Sequence, residues 1–233
     1  MKFFKLRQLT LVCPACQTVF ATFELARTPH VSADTPMETD LHRILPDAQL
    51  RAALLATCPN CIYTWWLSSF REHHYLPQIV PGFASLELLQ KFAHAVQTGR
   101  KSGVSLLDRA VLALNGYWCA REQGAETIKF LKLAKVELAG ALADQSWVGN
   151  RSRYNYIEGE VCRLLGEFEE ADKYYVLVDK SSGLPAELIA KMRSFAASGN
   201  KNLYGCLRTL CRQFLCNQMQ QVLNYRLWMT LHH

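Results

Sequence analysis

Two short stretches share one cysteine pattern and decide how the N-terminal part of the chain can fold: "LVCPACQTVF" at residues 11–20 and "ATCPNCIYTW" at residues 56–65. Each contains Cys-Pro-x-Cys, a turn that can present two sulfur ligands to one metal ion. Two such turns supply four thiolates, which is the ligand set of a closed structural zinc site. The pattern therefore predicts one structural Zn²⁺ bound by Cys13, Cys16, Cys58 and Cys61.

The two cysteine pairs lie far apart in the chain. Residues 17–57, 41 in number, separate them, whereas the common pattern has about 15–20. Because the entropy of loop closure grows only with the logarithm of length, the longer loop costs on the order of 0.8 kcal/mol. Structural zinc contributes about 10–16 kcal/mol. The long loop is therefore compatible with a zinc site.

A redox dithiol is the first alternative, and it requires Cys-x-x-Cys at the start of a helix. The segment "QTVFATFEL" that follows the first pair alternates in polarity and predicts a strand, and the aromatic "IYTWWLSSF" follows the second. Neither flank predicts a helix.

Unligated core cysteines are the other alternative. Each turn favours a left-handed residue after its second cysteine, often Gly, and here Gln17 and Ile62 occupy those positions.

A catalytic zinc site usually has three protein ligands, often histidines, and one open position. Four thiolates leave no open position. His42 and the pair His73-His74 lie near the cysteines in sequence. Adjacent side chains point apart on a strand or a helix, so we interpret the pair as part of a solvated turn.

Length and composition indicate a soluble globular protein. The chain has 233 residues, of which 50% are hydrophobic and 20% charged, enough for one large domain or two small ones. No run approaches the roughly 18 apolar residues of a membrane span, and Lys5 and Arg7 interrupt the apolar start, which therefore does not predict a secretion signal. We expect a cytoplasmic protein with reduced cysteines.

The net charge of +6 is unevenly distributed. Residues 1–76 contain seven basic and six acidic side chains, and residues 77–198 contain fifteen and fourteen. The remaining excess of four lies in residues 199–233, which have no Asp or Glu. Because the cysteine module carries little positive charge, we expect at most weak affinity for nucleic acid.

Apolar residues at three- and four-residue spacing predict amphipathic helices in four segments: 85–99, 105–122, 125–144 and 153–178. Ser105 with Asp108 resembles a capping box at the start of the second segment. Four glycines are predicted to end helices: Gly99, Gly124, Gly166 and Gly183.

The last of these segments has the residue spacing of a tetratricopeptide helix pair: Gly159, Gly166, Phe168, Ala171 and Tyr175. Gly159 and Ala171 would let the two helices approach closely. Residues 105–142 predict another helix pair, with small residues at Ala110, Gly116, Ala134 and Ala139. The alternative interpretation is an ordinary helical bundle.

The last segment, residues 199–233, is basic and apolar. A stripe of Leu203, Leu207, Leu210 and Phe214 predicts a helix that caps the helical domain or binds a partner. An altered reading frame is the other interpretation of the abrupt change in composition. The five-residue spacing of Cys206, Cys211 and Cys216 spreads them around a helix, which argues against a metal site.

Together these patterns predict a mainly α protein in three parts. Residues 1–76 form a zinc-ribbon-like β module with four cysteines, residues 77–198 a helical domain of tetratricopeptide-like hairpins, and residues 199–233 a C-terminal helix.

The order of the motifs "CPACQTVF", "ETDLH", "CPNCIYTWWLSSF" and "YNYIEGEVCRLLGEFEEADKYY" resembles the bacterial family called domain of unknown function 2225. The resemblance covers roughly residues 10–180 and implies a split zinc ribbon followed by tetratricopeptide-like helices. It also implies that Cys13, Cys16, Cys58 and Cys61 are the zinc ligands. The second cysteine pair of the family is usually followed by Gly-Tyr, whereas this chain has Ile62 before Tyr63.

The function predicted from these features is that of a zinc-stabilised interaction protein, whose helical groove binds a protein or peptide. A nucleic-acid-associated zinc ribbon is one alternative, with Trp65, Trp66 and Phe70 as stacking residues. An enzyme is the second alternative. The sequence contains no phosphate loop, dinucleotide fingerprint, nucleophile elbow or His-Glu-x-x-His helix, so we expect a protein that is not an enzyme.

Overall fold

Helices make up most of the structure, and the strands are confined to the N-terminal part of the chain. The computed structural model describes residues 6–25, 37–42, 51, 53–72, 87–146 and 149–203. These residues include six α-helices and five short strands. The prediction of a mainly helical protein with a small N-terminal β module is therefore confirmed.

The first cysteine pair lies in the turn of a β-hairpin. Strand β1 (Leu6–Val12) pairs with the antiparallel strand β2 (Val19–Leu25), and Val12 lies opposite Val19 at the turn. The short strand β5 (Arg71–Glu72) pairs with the other edge of β1. The strand predicted after the first cysteine pair is thus confirmed.

The second cysteine pair lies in the turn of another hairpin. Strands β3 (Leu55–Thr57) and β4 (Thr64–Trp66) are antiparallel. Thr57 lies opposite Thr64, whose buried hydroxyl donates a hydrogen bond of 3.1 Å to the Thr57 hydroxyl. The two cysteine pairs therefore occupy equivalent positions in two separate hairpins.

Six helices follow: α1 (Leu88–Lys101), α2 (Leu106–Glu122), α3 (Ile128–Ala143), α4 (Arg151–Leu165), α5 (Phe168–Val176) and α6 (Ala186–Ala197). The first five overlap the segments that the periodicity predicts, although α1 extends two residues past its segment and α4 begins two residues before its own. Helix α6 is absent from the predicted helices. Among the helices described, we find none with both the length and the hydrophobicity needed to cross a bilayer.

Most of the predicted helix boundaries are confirmed by the caps. The Ser105 hydroxyl accepts a hydrogen bond of 3.2 Å from the backbone N–H of Asp108, as in a capping box. Gly124 follows α2, and Gly166 ends α4 with a φ of 90°, in the left-handed region. Gly183 ends the short 3-10 helix Lys180–Ser182.

The prediction that Gly99 ends a helix is wrong. Gly99 lies within α1, where the helix packs against the ring of Trp65. A Cβ atom at this position would lie 2.9 Å from two ring carbons of Trp65. The neighbouring Thr98 hydroxyl accepts a hydrogen bond of 3.2 Å from the backbone N–H of Thr64. Gly99 therefore allows close packing of α1 on β4.

The chain divides into two compact units, each built from two separate stretches. The first comprises residues 1–30 and 45–137, and the second comprises residues 31–44 and 138–233. Helices α1 and α2 thus belong to the same unit as the strands, whereas the sequence places a boundary between them at residue 76. The contact of α1 with β3 and β4 is the physical reason for this grouping.

The first unit has a close helix contact at one of the small residues predicted for this role. A Cβ atom at Gly116 of α2 would lie 2.5 Å from the ring of Phe130 in α3. Ala110 and Ala134 are fully buried, whereas Ala139, in the second unit, is only partly buried. These small residues make room for larger side chains beside them.

The second unit is organised around the pair α4 and α5. A Cβ atom at Gly159 would lie 2.6 Å from the ring of Tyr175, and Ala171 is fully buried. The prediction that Gly159 lies where the two helices meet is therefore confirmed, and Ala171 belongs to the buried cluster that contains Tyr175. Tyr156, also fully buried, donates a hydrogen bond of 2.6 Å to the backbone carbonyl of Thr39. The tail helix predicted for residues 199–233 falls almost wholly outside the described residues.

Replacing Ala171 with leucine should destabilise the second unit. The larger side chain would be forced into the contact between α4 and α5, and overpacking of this kind costs about 1–3 kcal/mol. For a protein of this size, the melting temperature would fall by roughly 2–4 °C per kcal/mol. Lys173→Ala is the control, because the Lys173 side chain is 71% exposed. Equal melting temperatures for the two variants, measured by circular dichroism, would contradict the expectation.

Candidate functional site

The two cysteine turns have the same backbone hydrogen bonds. In the first turn, Cys13 N–H donates to the carbonyl of Thr18 at 2.9 Å, and Gln17 N–H donates to the carbonyl of Cys13 at 2.9 Å. The same two bonds recur in the second turn at 2.9 and 3.0 Å, with Cys58 in the place of Cys13. Two segments that are distant in the chain therefore adopt one local geometry.

Gln17 and Ile62 occupy matching backbone conformations after the second cysteine of each turn. Both have a φ of 59°, in the left-handed region. For a residue other than glycine this region costs about 1–2 kcal/mol. The expectation that these positions require left-handed backbone is therefore confirmed.

The four cysteine sulfur atoms form one cluster. The Sγ atoms of Cys13 and Cys61 lie 3.6 Å apart, and those of Cys16 and Cys58 also lie 3.6 Å apart. All four sulfurs lie within 4.8 Å of one another. A disulfide bond would require about 2.05 Å. The cluster is thus compatible with one metal ion bound by four sulfurs, as predicted.

The surroundings of the sulfurs differ in polarity. The Cys16 Sγ atom forms a hydrogen bond of 3.2 Å with the Thr18 hydroxyl oxygen. This bond is the main reason why the pKa of the Cys16 thiol is lowered to about 6. The Asn60 side chain donates a bond of 3.1 Å to the same Thr18 hydroxyl. Burial raises the pKa of the Cys13 and Cys58 thiols. A bound cation would favour the thiolate form of all four.

Neither cysteine turn opens a helix. The first leads into β2 and the second into β4. The helix dipole that lowers the pKa of redox-active thiols is therefore absent from these two turns. His42 lies in the second unit, with Glu38 and Asp40, and His73 and His74 fall outside the described residues.

No protein-family model, curated protein or solved structure matches the chain. The resemblance to the domain of unknown function 2225 family rests on the order of the motifs alone. It stays a prediction.

A second group of metal-binding residue types lies in the second unit. Glu38, Asp40 and His42 place one potential ligand atom each within 4.8 Å of the others. His42 Nδ1 lies 2.8 Å from a Glu38 carboxylate oxygen, and the backbone N–H of His42 donates to Asp40 at 3.1 Å. These bonds hold the turn together. These residues belong to the motif "ETDLH", whose sequence gives no sign that they form a cluster.

A groove of about 520 Å³ lies between α1 and α3 in the first unit. Its lining combines five aliphatic residues with four charged ones and one glutamine: Ala93, Val96, Ile128, Leu133, Val136, Arg100, Lys129, Lys132, Glu126 and Gln97. Ile128 is 49% exposed and Val136 is 62% exposed. The groove thus offers apolar surface to water, with charged side chains beside it.

One carboxylate beside this groove binds two arginines. Glu137 is almost fully buried, and its two oxygens accept from Arg100 at 2.7 Å and from Arg109 at 2.8 Å. A helical groove is predicted from the sequence, but its residues are not. The four-residue spacing of Ile128, Lys132 and Val136 indicates that these residues share one side of α3. The spacing does not indicate which other helix lies opposite them.

Proposed function

We propose that this chain is a zinc-stabilised interaction protein whose helical groove binds a protein or peptide partner. The observation that carries the proposal is the exposure of two aliphatic side chains in the groove, Ile128 at 49% and Val136 at 62%. Apolar side chains that line a concave surface are typical of a binding site. A partner would shield this surface from water.

Zinc is the ion that we propose for the cysteine cluster. Zinc binds thiolates at about 2.3 Å in a tetrahedron, which places the sulfurs about 3.8 Å apart. The 3.6 Å distances from Cys13 to Cys61 and from Cys16 to Cys58 support this assignment. Thiolates are also poor ligands for magnesium and calcium, which prefer oxygen. The ion would join the two hairpins.

The proposed role of the zinc is structural. Four thiolates fill a tetrahedral coordination sphere and leave no position for a substrate or an attacking water. Cys13 and Cys58 are fully buried, whereas Cys16 is partly buried and Cys61 is exposed at the surface. We therefore assign the partner-binding role to the groove and none to the cysteine cluster.

We interpret the helices as tetratricopeptide-like. Helices α1 and α2 pack side by side, and the groove lies between α1 and α3, so alternate helices line it. Repeat proteins use concave surfaces of this kind to bind partners. The contact of Gly159 with Tyr175 in the pair α4 and α5 also supports the interpretation. From the order of the cysteine and helix motifs alone, we also propose membership of the domain of unknown function 2225 family.

The nucleic-acid alternative receives less support. Binding by stacking requires exposed aromatic rings, but Trp65 is 7% exposed and Phe70 is 5% exposed, and Trp66 is only partly exposed. Residues 1–76 contain seven basic and six acidic side chains and attract phosphates only weakly. We therefore propose that any affinity for nucleic acid is weak.

The proposed groove can be tested with peptides selected on the zinc-loaded full-length protein from a random-peptide phage library. Resynthesised peptides should bind the double variant Ile128→Gln, Val136→Gln about tenfold more weakly than the wild type, because the variant removes apolar contacts. Fluorescence anisotropy with labelled peptide measures the difference.

The matched control is the double variant Val176→Gln, Leu177→Gln. Val176 and Leu177 are each 58% exposed and do not line the groove. This control should bind the peptides like the wild type. The proposal fails if the library yields no binding peptide, or if the groove variant and the control bind with equal affinity.

A further inference from the structure

We infer that the occupant of the groove between α1 and α3 is an acidic amphipathic peptide segment, with apolar side chains that face the groove and Asp or Glu residues beside them. The inference rests on the proposed function, because it specifies the chemistry of the partner. It follows from the positions of the charged side chains around the groove.

Two lysines supply positive charge on one wall of the groove. Lys129 and Lys132 are exposed and lie three positions apart on α3, so they lie on the same side of the helix. Within the part of the chain that the structure describes, neither lysine forms an ion pair with an acidic side chain. Both are therefore available to bind carboxylates of a partner.

Apolar residues lie beside these lysines on the same helix. Ile128, Lys132 and Val136 follow one another at a spacing of four residues, which aligns them along α3. A segment that buries its apolar side chains against Ile128 and Val136 would thus bring its flanking residues close to the lysines. Carboxylates at those flanking positions would be complementary to the groove.

The opposite wall adds to the positive charge. The Arg100 side chain, on α1, is 45% exposed, and Arg109 lies beside it. Both arginines bind the single carboxylate of Glu137, so these three side chains together carry a net charge of +1. The residues that line the groove include one acidic residue, Glu126, and three basic ones, Arg100, Lys129 and Lys132. The groove therefore favours an acidic segment.

The same charges disfavour two other occupants. Residues 199–233 of this chain contain four basic residues and no acidic one, so they would be repelled by the lysines. Nucleic acid would bring negative charge, but the residues that line the groove include no aromatic ring on which a base could stack. An aliphatic groove flanked by lysines suits a peptide better than it suits a nucleic acid.

The test is to sequence the phage-library peptides selected on the full-length protein and to determine their amino-acid composition. We expect enrichment of Asp and Glu together with apolar residues. Affinity for a resynthesised peptide should fall about tenfold in the variant Lys129→Glu, Lys132→Glu and should rise in Glu126→Lys. The control Lys101→Glu, Lys180→Glu makes the same charge change at exposed sites outside the groove, and should bind like the wild type.

Other results would overturn the inference. Selected peptides that are neutral or basic, but lose affinity in the variant Ile128→Gln, Val136→Gln, would refute the acidic partner and leave the proposed groove intact. Peptides insensitive to that variant would refute both. A single-stranded oligothymidylate that displaces the peptide in the wild type and not in the lysine variant would point to nucleic acid instead. Self-association in sedimentation that is abolished by the lysine variant would point to a second copy.

Discussion

Replacing Cys58 with serine should abolish stoichiometric zinc binding and unfold the two hairpins that contain the cysteine turns. Cys58 is fully buried, and its sulfur lies 3.6 Å from that of Cys16. The apparent binding energy of a structural zinc site is about 10–16 kcal/mol. This is comparable to the whole stability of a typical domain, about 5–15 kcal/mol. With three cysteine ligands left, we expect the remaining zinc-binding free energy to be too small to keep the two hairpins together.

The measurements are zinc content by mass spectrometry and thermal unfolding under reducing conditions. Cys119→Ala is the matched control, because Cys119 is equally buried and lies outside the cluster. It should keep one zinc per chain. Removal of zinc from the wild type with a chelator should reproduce the effect of Cys58→Ser. If the metal-free wild type melts at the temperature of the untreated protein, the cluster has no structural role.

The second large effect is expected for Glu160→Gln in the second unit. The Glu160 carboxylate binds the guanidinium of Arg163 at 2.8 and 3.1 Å, and both side chains are fully or almost fully buried. Loss of the carboxylate charge would leave the arginine charge buried without compensation. Breaking a buried ion pair in this way costs about 3–5 kcal/mol.

The rest of the network would be weakened at the same time. Arg163 also donates hydrogen bonds to the carbonyls of Asn200 and Asn202, at 2.8 and 3.1 Å. Burial and the Glu160 carboxylate raise the pKa of Tyr175, so its phenol stays protonated and donates to Glu160. The ion pair of Glu160 and Arg163 on α4 thus connects to α5 through Tyr175 and to the chain after α6 through Asn200 and Asn202.

Asp172→Asn is the control for this prediction. Asp172 pairs with Arg193, and both side chains are close to half exposed. Loss of an exposed ion pair changes stability by about 0.2–1 kcal/mol. Chemical denaturation of both variants measures the difference. A loss of stability in Glu160→Gln no larger than in Asp172→Asn would mean that the buried charge is compensated by other groups.

The features that could be predicted from the sequence depend on residues close together in the chain. Each cysteine turn is set by a few consecutive residues, and the left-handed conformation of Gln17 and Ile62 follows from the turn alone. The first five helices follow from apolar spacing within each segment. Ser105 with Asp108 is likewise a local signal. These interactions need no knowledge of the rest of the fold.

The features that could not be predicted depend on distant residues. Gly99 resembles a helix stop in the sequence, and only the ring of Trp65, 34 residues earlier, explains its place within α1. Glu137 meets Arg100 and Arg109 only after three helices have packed. The groove residues likewise come from two helices that are separated by α2. Local periodicity identifies each helix but does not show which faces meet.

The division of each unit into two stretches of chain limits how the protein can be taken apart or recombined. A continuous fragment that begins at residue 138 contains α4, α5 and α6 but lacks residues 31–44 of the same unit. In that fragment the hydroxyl of Tyr156 loses the carbonyl of Thr39, its acceptor in the intact protein. Neither unit can therefore be transferred whole, as one uninterrupted cassette, into another protein.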